Sequence, residues 1–190
     1  MNVSSVYVYY EDSRATGGTF ALHDLVLACV ADILGRPSWE LKRLVAGNPK
    51  RGSSKVIGAC IQDGPRLSEQ HVAVLLDGDQ LDRALDLRPH YCKRDAHDAF
   101  KKKVADARFE LFVLDDNIET LIERLTELPG EFPLMADALK KDLNARDSVF
   151  ARAARLEPAR RRVRTVLSFD RFVRRIAGWL NPAATDSLSP

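Results

Sequence analysis

Two acidic sequences in this chain each follow an apolar run of the kind that forms a buried β-strand. The first is Val-Tyr-Val-Tyr-Tyr-Glu-Asp, from Val6 to Asp12, and the second is Val-Ala-Val-Leu-Leu-Asp-Gly-Asp, from Val72 to Asp79. In extended backbone, residues i and i+2 point to the same side, so Asp77 and Asp79 would present parallel carboxylates. Such a pair can bind magnesium, whose usual protein ligands are one or two carboxylates.

Glu11 would add a third carboxylate at the end of the first strand. Ligand sites in open α/β sheets gather at the carboxyl ends of the strands, so Glu11 is expected to meet Asp77 and Asp79 at one edge. A bound divalent cation or raised pKa values relieve the repulsion between such carboxylates. The pattern therefore predicts an enzyme that uses Mg²⁺ or Mn²⁺ and acts on phosphodiesters. For Asp77-Gly78-Asp79 alone, the alternative is a simple turn after a strand.

Basic side chains supply candidate phosphate contacts near Asn48–Ser54, a turn-rich sequence. Lys55 is expected to contact a phosphate or to stabilise the charge that develops during phosphoryl transfer. Lys50 and Arg51 are candidate nucleic-acid contacts, and the alternative for both is ordinary surface solvation. The sequence is not a Walker A loop, because it lacks the full Gly-x4-Gly-Lys-Ser/Thr pattern.

An arginine-rich segment from Arg146 to Arg175 is the strongest electrostatic feature, since it holds ten arginines and only three acidic residues. The planar guanidinium suits phosphate recognition, and a dense cluster would give salt-dependent binding to nucleic acid, with DNA favoured over RNA. The alternative is that these arginines solvate helices whose apolar faces are buried. The candidate nucleic-acid contacts here are Arg160, Arg161, Arg162 and Arg164.

Composition places the chain among ordinary globular proteins. Its 190 residues are 45% hydrophobic and 29% charged, and the net charge of +2 by itself supports no binding to nucleic acid. Cys29, Cys60 and Cys92 are odd in number and widely spaced, which predicts neither a disulfide framework nor a structural zinc site and favours a reducing cytoplasm. His90 and His97 near Cys92 lack a fourth ligand and are expected to be ordinary loop residues. No segment approaches the roughly 18 apolar residues of a membrane span.

Strands and helices alternate along the first two thirds of the chain. Helical spacing of apolar residues predicts helices over Leu22–Ile33, Lys55–Gln62 and Ile118–Leu125, and a third strand over Phe109–Leu114. The stretch Trp39 to Val45 fits either a short helix or a strand. A loop is expected over Asp12–Gly18, and a polar segment is expected after Asp79. His23, on the first helix, is expected to be an exposed or hydrogen-bonded histidine rather than a base.

The C-terminal third is helical and rich in polar residues from about Leu134 to Leu180, with Pro158 separating two helices. These patterns predict an α/β fold with a mainly parallel central sheet flanked by helices and a helical C-terminal extension. The predicted organisation is a catalytic domain over residues 1–130, a helical extension packed on it over residues 131–182, and a flexible tail over residues 183–190.

The order of an early strand with Glu11, a helix, and a later strand with Asp77-x-Asp79 resembles the Toprim catalytic domain of topoisomerases, primases, small maturation nucleases and overcoming-lysogenization-defect nucleases. The resemblance covers about Val6 to Leu125. In that family a glycine usually follows the glutamate, whereas Asp12 follows it here and could act as an outer-shell ligand. The resemblance implies a Toprim-like, Rossmann-like sheet and a metal-dependent nuclease.

The stretch from Phe109 to Glu119 looks like the strand-to-helix glutamate segment of small bacterial Toprim-like proteins, which often accompany an ATPase in mobile-element and phage-defence loci. That resemblance implies that Glu119 is a second-metal ligand with Asp115 and Asp116 nearby, and that an ATPase encoded nearby is the protein partner. The alternative for these acids is a helix start, where the macrodipole and the free N–H groups favour them.

The sequence thus predicts a two-metal endonuclease that is the effector of a two-component defence or mobile-element system. One rival is a non-catalytic Toprim-like subunit that binds a partner ATPase or nucleic acid without cutting. A further rival is a receiver-like phosphotransfer domain. A receiver usually begins its acidic site with an adjacent Asp pair, which Glu11-Asp12 fits poorly.

Overall fold

A four-stranded, all-parallel sheet forms the centre of the molecule. The structure is a computed structural model and describes residues 6–11, 21–67, 70–79, 81–88, 90–115, 117–128, 130, 132 and 143–181. The strands are β1 (Val6–Glu11), β2 (Val45–Lys50), β3 (His71–Leu76) and β4 (Phe109–Val113). They lie in the order β2-β1-β3-β4. This arrangement confirms the predicted α/β class and is consistent with a Rossmann-like, Toprim-like fold.

The helices in the described residues were expected in part. They are α1 (Ala21–Leu34), α2 (Ser38–Leu41), α3 (Ser53–Asp63), α4 (Leu81–Leu85), α5 (Lys93–Val104), α6 (Glu119–Thr126), α7 (Leu143–Arg155), α8 (Glu157–Val163) and α9 (Leu167–Leu180), with a 3₁₀ turn at Gly64–Leu67. The predicted helices over Leu22–Ile33, Lys55–Gln62 and Ile118–Leu125 are confirmed as α1, α3 and α6. Pro158 lies in the first turn of α8, where its missing N–H costs nothing, so the predicted break there is also confirmed.

Strand β2 corrects the expected turn over Asn48–Ser54, because Asn48, Pro49 and Lys50 are its last three residues. As an edge strand, β2 needs few apolar residues and accepts proline where no ladder hydrogen bond is lost. The Val6 N–H donates to the Leu44 carbonyl at 2.8 Å, so the even-numbered residues of β2 form the backbone hydrogen bonds to β1. The backbone nitrogen of Pro49 therefore points away from the sheet, and no hydrogen bond to β1 is lost there.

His23 lies beneath β2 at Gly47. A Cβ atom at Gly47 would lie 2.7 Å from Nδ1 of His23, so only glycine fits there. The same Nδ1 is hydrogen-bonded to the Tyr10 hydroxyl at 2.8 Å. His23 is therefore the hydrogen-bonded histidine that the sequence allowed, and it contributes to the core between β1 and β2.

Helices α4 and α5 correct the polar segment expected after Asp79. Helix α5 has Ala96 and Phe100 as its buried residues, too few to give a clear apolar stripe in sequence. Cys92 is its N-cap residue and His97 lies within it, so neither is a loop residue in the sense predicted.

The two faces of the sheet have separate cores, and this explains why β1 is apolar up to Glu11 and β3 is apolar after His71. On one face, Val8, Ala73 and neighbouring side chains pack with α1, α6 and the C-terminal helices α7 to α9. On the other face, Tyr9, Val74 and their neighbours pack with α3, α4 and α5.

The C-terminal helices complete one of these two layers. Phe169 and Phe172 of α9 are fully buried, and α9 contacts β1, β3 and β4 while α7 packs along α1. The predicted domain boundary at residue 130 stays a prediction. The predicted loop over Asp12–Gly18 and the predicted tail over 183–190 lie outside the described residues. Within the described residues, no helix has the length and apolarity needed to cross a membrane.

Candidate functional site

Glu11 and Asp77 meet at the carboxyl edge of the sheet because β1 and β3 are neighbouring parallel strands. The backbone N–H of Asp77 donates to Glu11 Oε2 at 3.3 Å. The N–H of Ser53 donates to Glu11 Oε1 at 2.9 Å, and the Ser53 hydroxyl donates to Oε2. The Glu11 carboxylate is therefore held between the end of β3 and the start of α3.

Helix α3 supplies the positive environment of Glu11. Its N-cap residue, Gly52, has a φ of 86° and no side chain, so it cannot cap the free N–H groups of the first turn. The Glu11 carboxylate takes that role from another strand, and the helix dipole favours its negative charge. Sequence reasoning missed Ser53 as a site residue. The sequence feature that could have identified Ser53 is Gly-Ser-Ser, a typical helix-start sequence, just before the predicted helix.

Asp77 is the most perturbed acid of the site. Burial, together with the charges of Glu11, Glu119 and Asp79, raises its pKa to about 8, and a backbone hydrogen bond from Ile118 opposes the shift. The other three predicted metal ligands, Glu11, Asp79 and Glu119, are thus close enough to act on the Asp77 carboxyl group, and we call these four residues the acidic cluster. Without a cation, Asp77 is therefore largely protonated at neutral pH.

Asp79 lies two residues beyond Asp77 and is exposed. Between them, the carbonyl of Gly78 accepts a hydrogen bond from the Tyr91 hydroxyl at 2.8 Å. Tyr91 immediately precedes the N-cap of α5, so it ties the Asp77–Asp79 segment to that helix.

Glu119, in the first turn of α6, has a cationic neighbour from the C-terminal layer. Arg146 of α7 has its Nη1 atom 3.9 Å from Glu119 Oε1, and the arginine is only 7% exposed. The predicted C-terminal extension therefore contributes a charge to the edge of the acidic cluster. Sequence reasoning missed this role, since nothing distinguishes Arg146 locally from the other arginines of its segment.

Asp115 lies just past β4, and its carboxylate has partners outside the acidic cluster. It forms an ion pair with Lys93 of α5 and accepts a hydrogen bond from Ser168 Oγ of α9 at 3.0 Å. The Lys93 contact lowers the pKa of Asp115. Asp115 therefore joins the two helices beside β4. The other predicted neighbours, Asp12 and Asp116, lie outside the described residues.

The basic candidates Lys50, Arg51 and Lys55 lie at the same edge as Glu11. Lys50 ends β2 in register with Glu11, Arg51 follows it, and Lys55 is in the first turn of α3. Arg51 and Lys55 are exposed. Cationic side chains thus border the acidic cluster on the side of β2.

Arg160 and Arg164 have partners within the fold. Arg160 donates to both carboxylate oxygens of Asp32 on α1, at 2.6 and 2.9 Å, and is only 14% exposed. Arg164 donates to Asp170 at 2.7 Å and is 21% exposed. These contacts attach α8 to its neighbours, which is the structural alternative that the sequence left open.

Arg161 and Arg162 differ in exposure. Arg162 is paired with Glu127, beyond α6. Arg161 is paired with Glu157 one turn away and is 78% exposed, which leaves it the most accessible of the four predicted contacts.

The donor set of the acidic cluster has the right chemistry for Mg²⁺ or Mn²⁺, because both prefer hard oxygen ligands. The excess negative charge around Asp77 also fits a bound cation. Among the described residues, no group of three or more His, Cys, Asp or Glu side chains converges as a ready metal site. Binding would therefore require Glu11, Asp77 or Asp79 to reorient. Comparisons with protein-family models, with curated proteins and with solved structures find no match to this chain.

Proposed function

We propose that this chain is a nuclease that depends on Mg²⁺ or Mn²⁺ and cleaves phosphodiester bonds at the acidic edge of its sheet. The observation that carries the proposal is the meeting of Glu11 and Asp77 at the carboxyl edge of the sheet, where partial burial and the charges of Glu11, Glu119 and Asp79 raise the pKa of Asp77. Partly buried, mutually repelling acids at the carboxyl ends of parallel strands are typical of functional sites.

In this proposal Glu11, Asp77, Asp79 and Glu119 hold the metal. The bound cations would neutralise the scissile phosphate and lower the pKa of a coordinated water. The N-terminus of α3 holds the Glu11 carboxylate in place through the Ser53 hydrogen bonds, and Tyr91 fixes the backbone between the two aspartates. Lys50, Arg51 and Lys55 bind phosphate groups of the substrate beside the cluster.

Membership of the Toprim family and an ATPase partner in a defence or mobile-element system belong to the same proposal. They rest on the resemblance of the motifs around Glu11, Asp77 and Glu119, now joined at one edge of a parallel sheet. The three thiols of Cys29, Cys60 and Cys92 are free, which agrees with the reducing cytoplasm that we propose as its location.

Cleavage assays test the activity directly. The purified chain, with labelled DNA and RNA in Mg²⁺, Mn²⁺ or EDTA, should cut in the metal buffers alone. Asp77→Asn should lower the rate on the order of 10³-fold, because a lost ligand removes charge stabilisation from the transition state. The matched control is Asp115→Asn, which should stay within about twofold because Asp115 lies outside the cluster.

Metal binding is measured in parallel by calorimetry, because this readout does not depend on a protein partner. Binding of Mn²⁺ by the wild type and by Asp115→Asn, with loss in Asp77→Asn, is the expected pattern. A wild-type chain that neither cuts nor binds either metal would refute the proposal.

A second candidate is a non-catalytic subunit that binds a protein or nucleic acid. One observation favours it: both oxygens of Glu11 already accept hydrogen bonds from Ser53 and Asp77, which is a structural use of that carboxylate. Under this alternative, Glu11→Gln would destabilise the fold and leave metal binding unaffected. Under the nuclease proposal, it weakens both.

A further inference from the structure

The outer edge of β4 is open in the part of the chain that the structure describes, where β3 is its only paired strand. The Val72 N–H donates to the Arg108 carbonyl at 3.1 Å, and the Leu114 N–H donates to the Leu76 carbonyl at 3.0 Å. Bonding residues alternate along a parallel strand, so even-numbered residues of β4 face β3. Leu111 and Val113 consequently direct their N–H and C=O groups away from the sheet.

A groove runs along this open edge between α5 and α9, with a volume of about 670 Å³. Residues 110–113 of β4 form its base, Lys93 lies on the α5 side, and Arg171 and Arg174 lie on the α9 side. Neighbouring strands of a sheet lie only about 4.8 Å apart, so an extended chain seated here would pair with Leu111 and Val113 while touching both helices.

The walls of the groove are strongly basic. Lys93, Arg171, Arg174 and Arg175 line it, and Glu110 is the one acidic residue among its lining in the described chain. Lys93, Arg174 and Arg175 have internal carboxylate partners, but each of these three side chains is more than 40% exposed. Ion pairs at such exposure contribute little, so these cations can exchange partners at small cost.

We propose that this groove binds an extended, acidic segment of a partner protein, which adds to the sheet as a fifth strand beside β4. The outward N–H and C=O groups of Leu111 and Val113 supply the main-chain pairing, and the partner's carboxylates contact Arg171 and Arg174. A second copy of this chain is a poorer occupant, because pairing β4 with β4 would bring two identical basic walls together. The proposal is independent of the nuclease activity.

The first test is binding of a defined probe. A fluorescein-labelled, terminally blocked peptide of alternating glutamate and valine should raise fluorescence polarisation with the full chain, and its lysine–valine counterpart should not. Arg171→Glu should weaken binding about tenfold or more, because it sets like charges against each other. The matched control is Arg36→Glu, at an exposed arginine just beyond α1 that is not among the residues lining the groove, and this variant should bind as the wild type does. Equal binding of both peptides, or no effect of Arg171→Glu, would overturn the proposal.

The second test distinguishes strand pairing from charge attraction alone. Amide hydrogen exchange, followed by NMR, should slow at Leu111 and Val113 when the acidic peptide is added, because their N–H groups gain acceptors. A peptide that binds without protecting these two amides overturns strand addition. Protection of these amides without peptide, together with a dimer observed by sedimentation, also overturns the proposal. Tighter binding of a single-stranded oligonucleotide than of the peptide overturns it as well.

Discussion

Asp77 and Asp115 lie just past neighbouring strands of one sheet, yet their environments act in opposite directions. Burial and three nearby carboxylates raise the pKa of Asp77 to about 8. The contact with Lys93 and the hydrogen bond from Ser168 lower the pKa of Asp115. The fold compensates one charge and leaves the other uncompensated. An acidic residue at a strand end is thus a candidate site residue. Its neighbours determine whether it stabilises the fold through an ion pair or is available to bind a cation.

The largest effect is expected for Asp77→Asn as the pH rises. In the wild type, the folded state keeps the Asp77 proton up to about pH 8, whereas the unfolded chain loses it near pH 4. The unfolded state therefore binds fewer protons in this window, and wild-type stability falls from pH 4 to pH 8. Asparagine carries no such penalty. The variant should gain about 2–5 kcal/mol over the wild type across the window, since one pKa unit is worth about 1.4 kcal/mol.

Urea denaturation at pH 5 and pH 8 in EDTA measures this difference, because effects shared by both proteins cancel. Asp115→Asn is the matched control and should show no such gain at high pH. A difference between wild type and Asp77→Asn that is the same at both pH values would show that the fold does not raise the pKa of Asp77.

Added metal should reverse the penalty at Asp77. A cation that binds the folded state alone stabilises it by about 2.7 kcal/mol at 100 times its dissociation constant. Saturating Mn²⁺ at pH 8 should therefore raise the melting temperature of the wild type and of Asp115→Asn. It should leave Asp77→Asn nearly unchanged. Equal responses of all three proteins would mean that the metal binds elsewhere.

The strands show most clearly which parts of the fold can be predicted from the sequence. β1 and β3 were predicted because both faces of each are covered, which leaves an uninterrupted apolar run. β2 was missed because an edge strand with Gly47 and Pro49 carries no such pattern. The parallel sheet then brings Glu11 to Asp77, which follows from strand order alone.

The rest of the site depends on tertiary contacts that no local pattern records. Ser53 reaches Glu11 because α3 starts beside β1, and Arg146 approaches Glu119 because α7 packs on α1 and α6. The same holds for Asp115, whose carboxylate is compensated by Lys93 of α5. Residue type and spacing made Asp115 a candidate site residue like Asp77. Only the packing of α5 and α9 distinguishes the roles of the two acids.

The contrast between compensated and available charges extends to the arginines of α8. Arg160→Gln should lower the free energy of unfolding by about 1–3 kcal/mol, because it breaks a two-point, half-buried contact with Asp32. Arg161→Gln should cost less than about 0.5 kcal/mol, because that side chain is largely in water. Urea melts measure both.

If Arg161 binds nucleic acid, its variant should also flatten the salt dependence of binding, whereas a slope equal to that of the wild type would remove Arg161 from the interface.

The smallest expected effect is that of Asp115→Asn itself. Its ion pair with Lys93 is partly exposed, so the substitution should cost about 0.2–1 kcal/mol at pH 7. The lowered pKa fixes the sign of the pH dependence: this contribution is present above the unfolded pKa, near 4, and disappears as the pH falls through the lower folded value. Wild type and variant should therefore converge in stability toward pH 3.

Lys93→Met should cost a similar amount, and the double variant should cost less than the sum of the two single variants, because both single variants break the same ion pair. Additive costs would show that Lys93 does not compensate Asp115, and the contrast with Asp77 would then rest on burial alone.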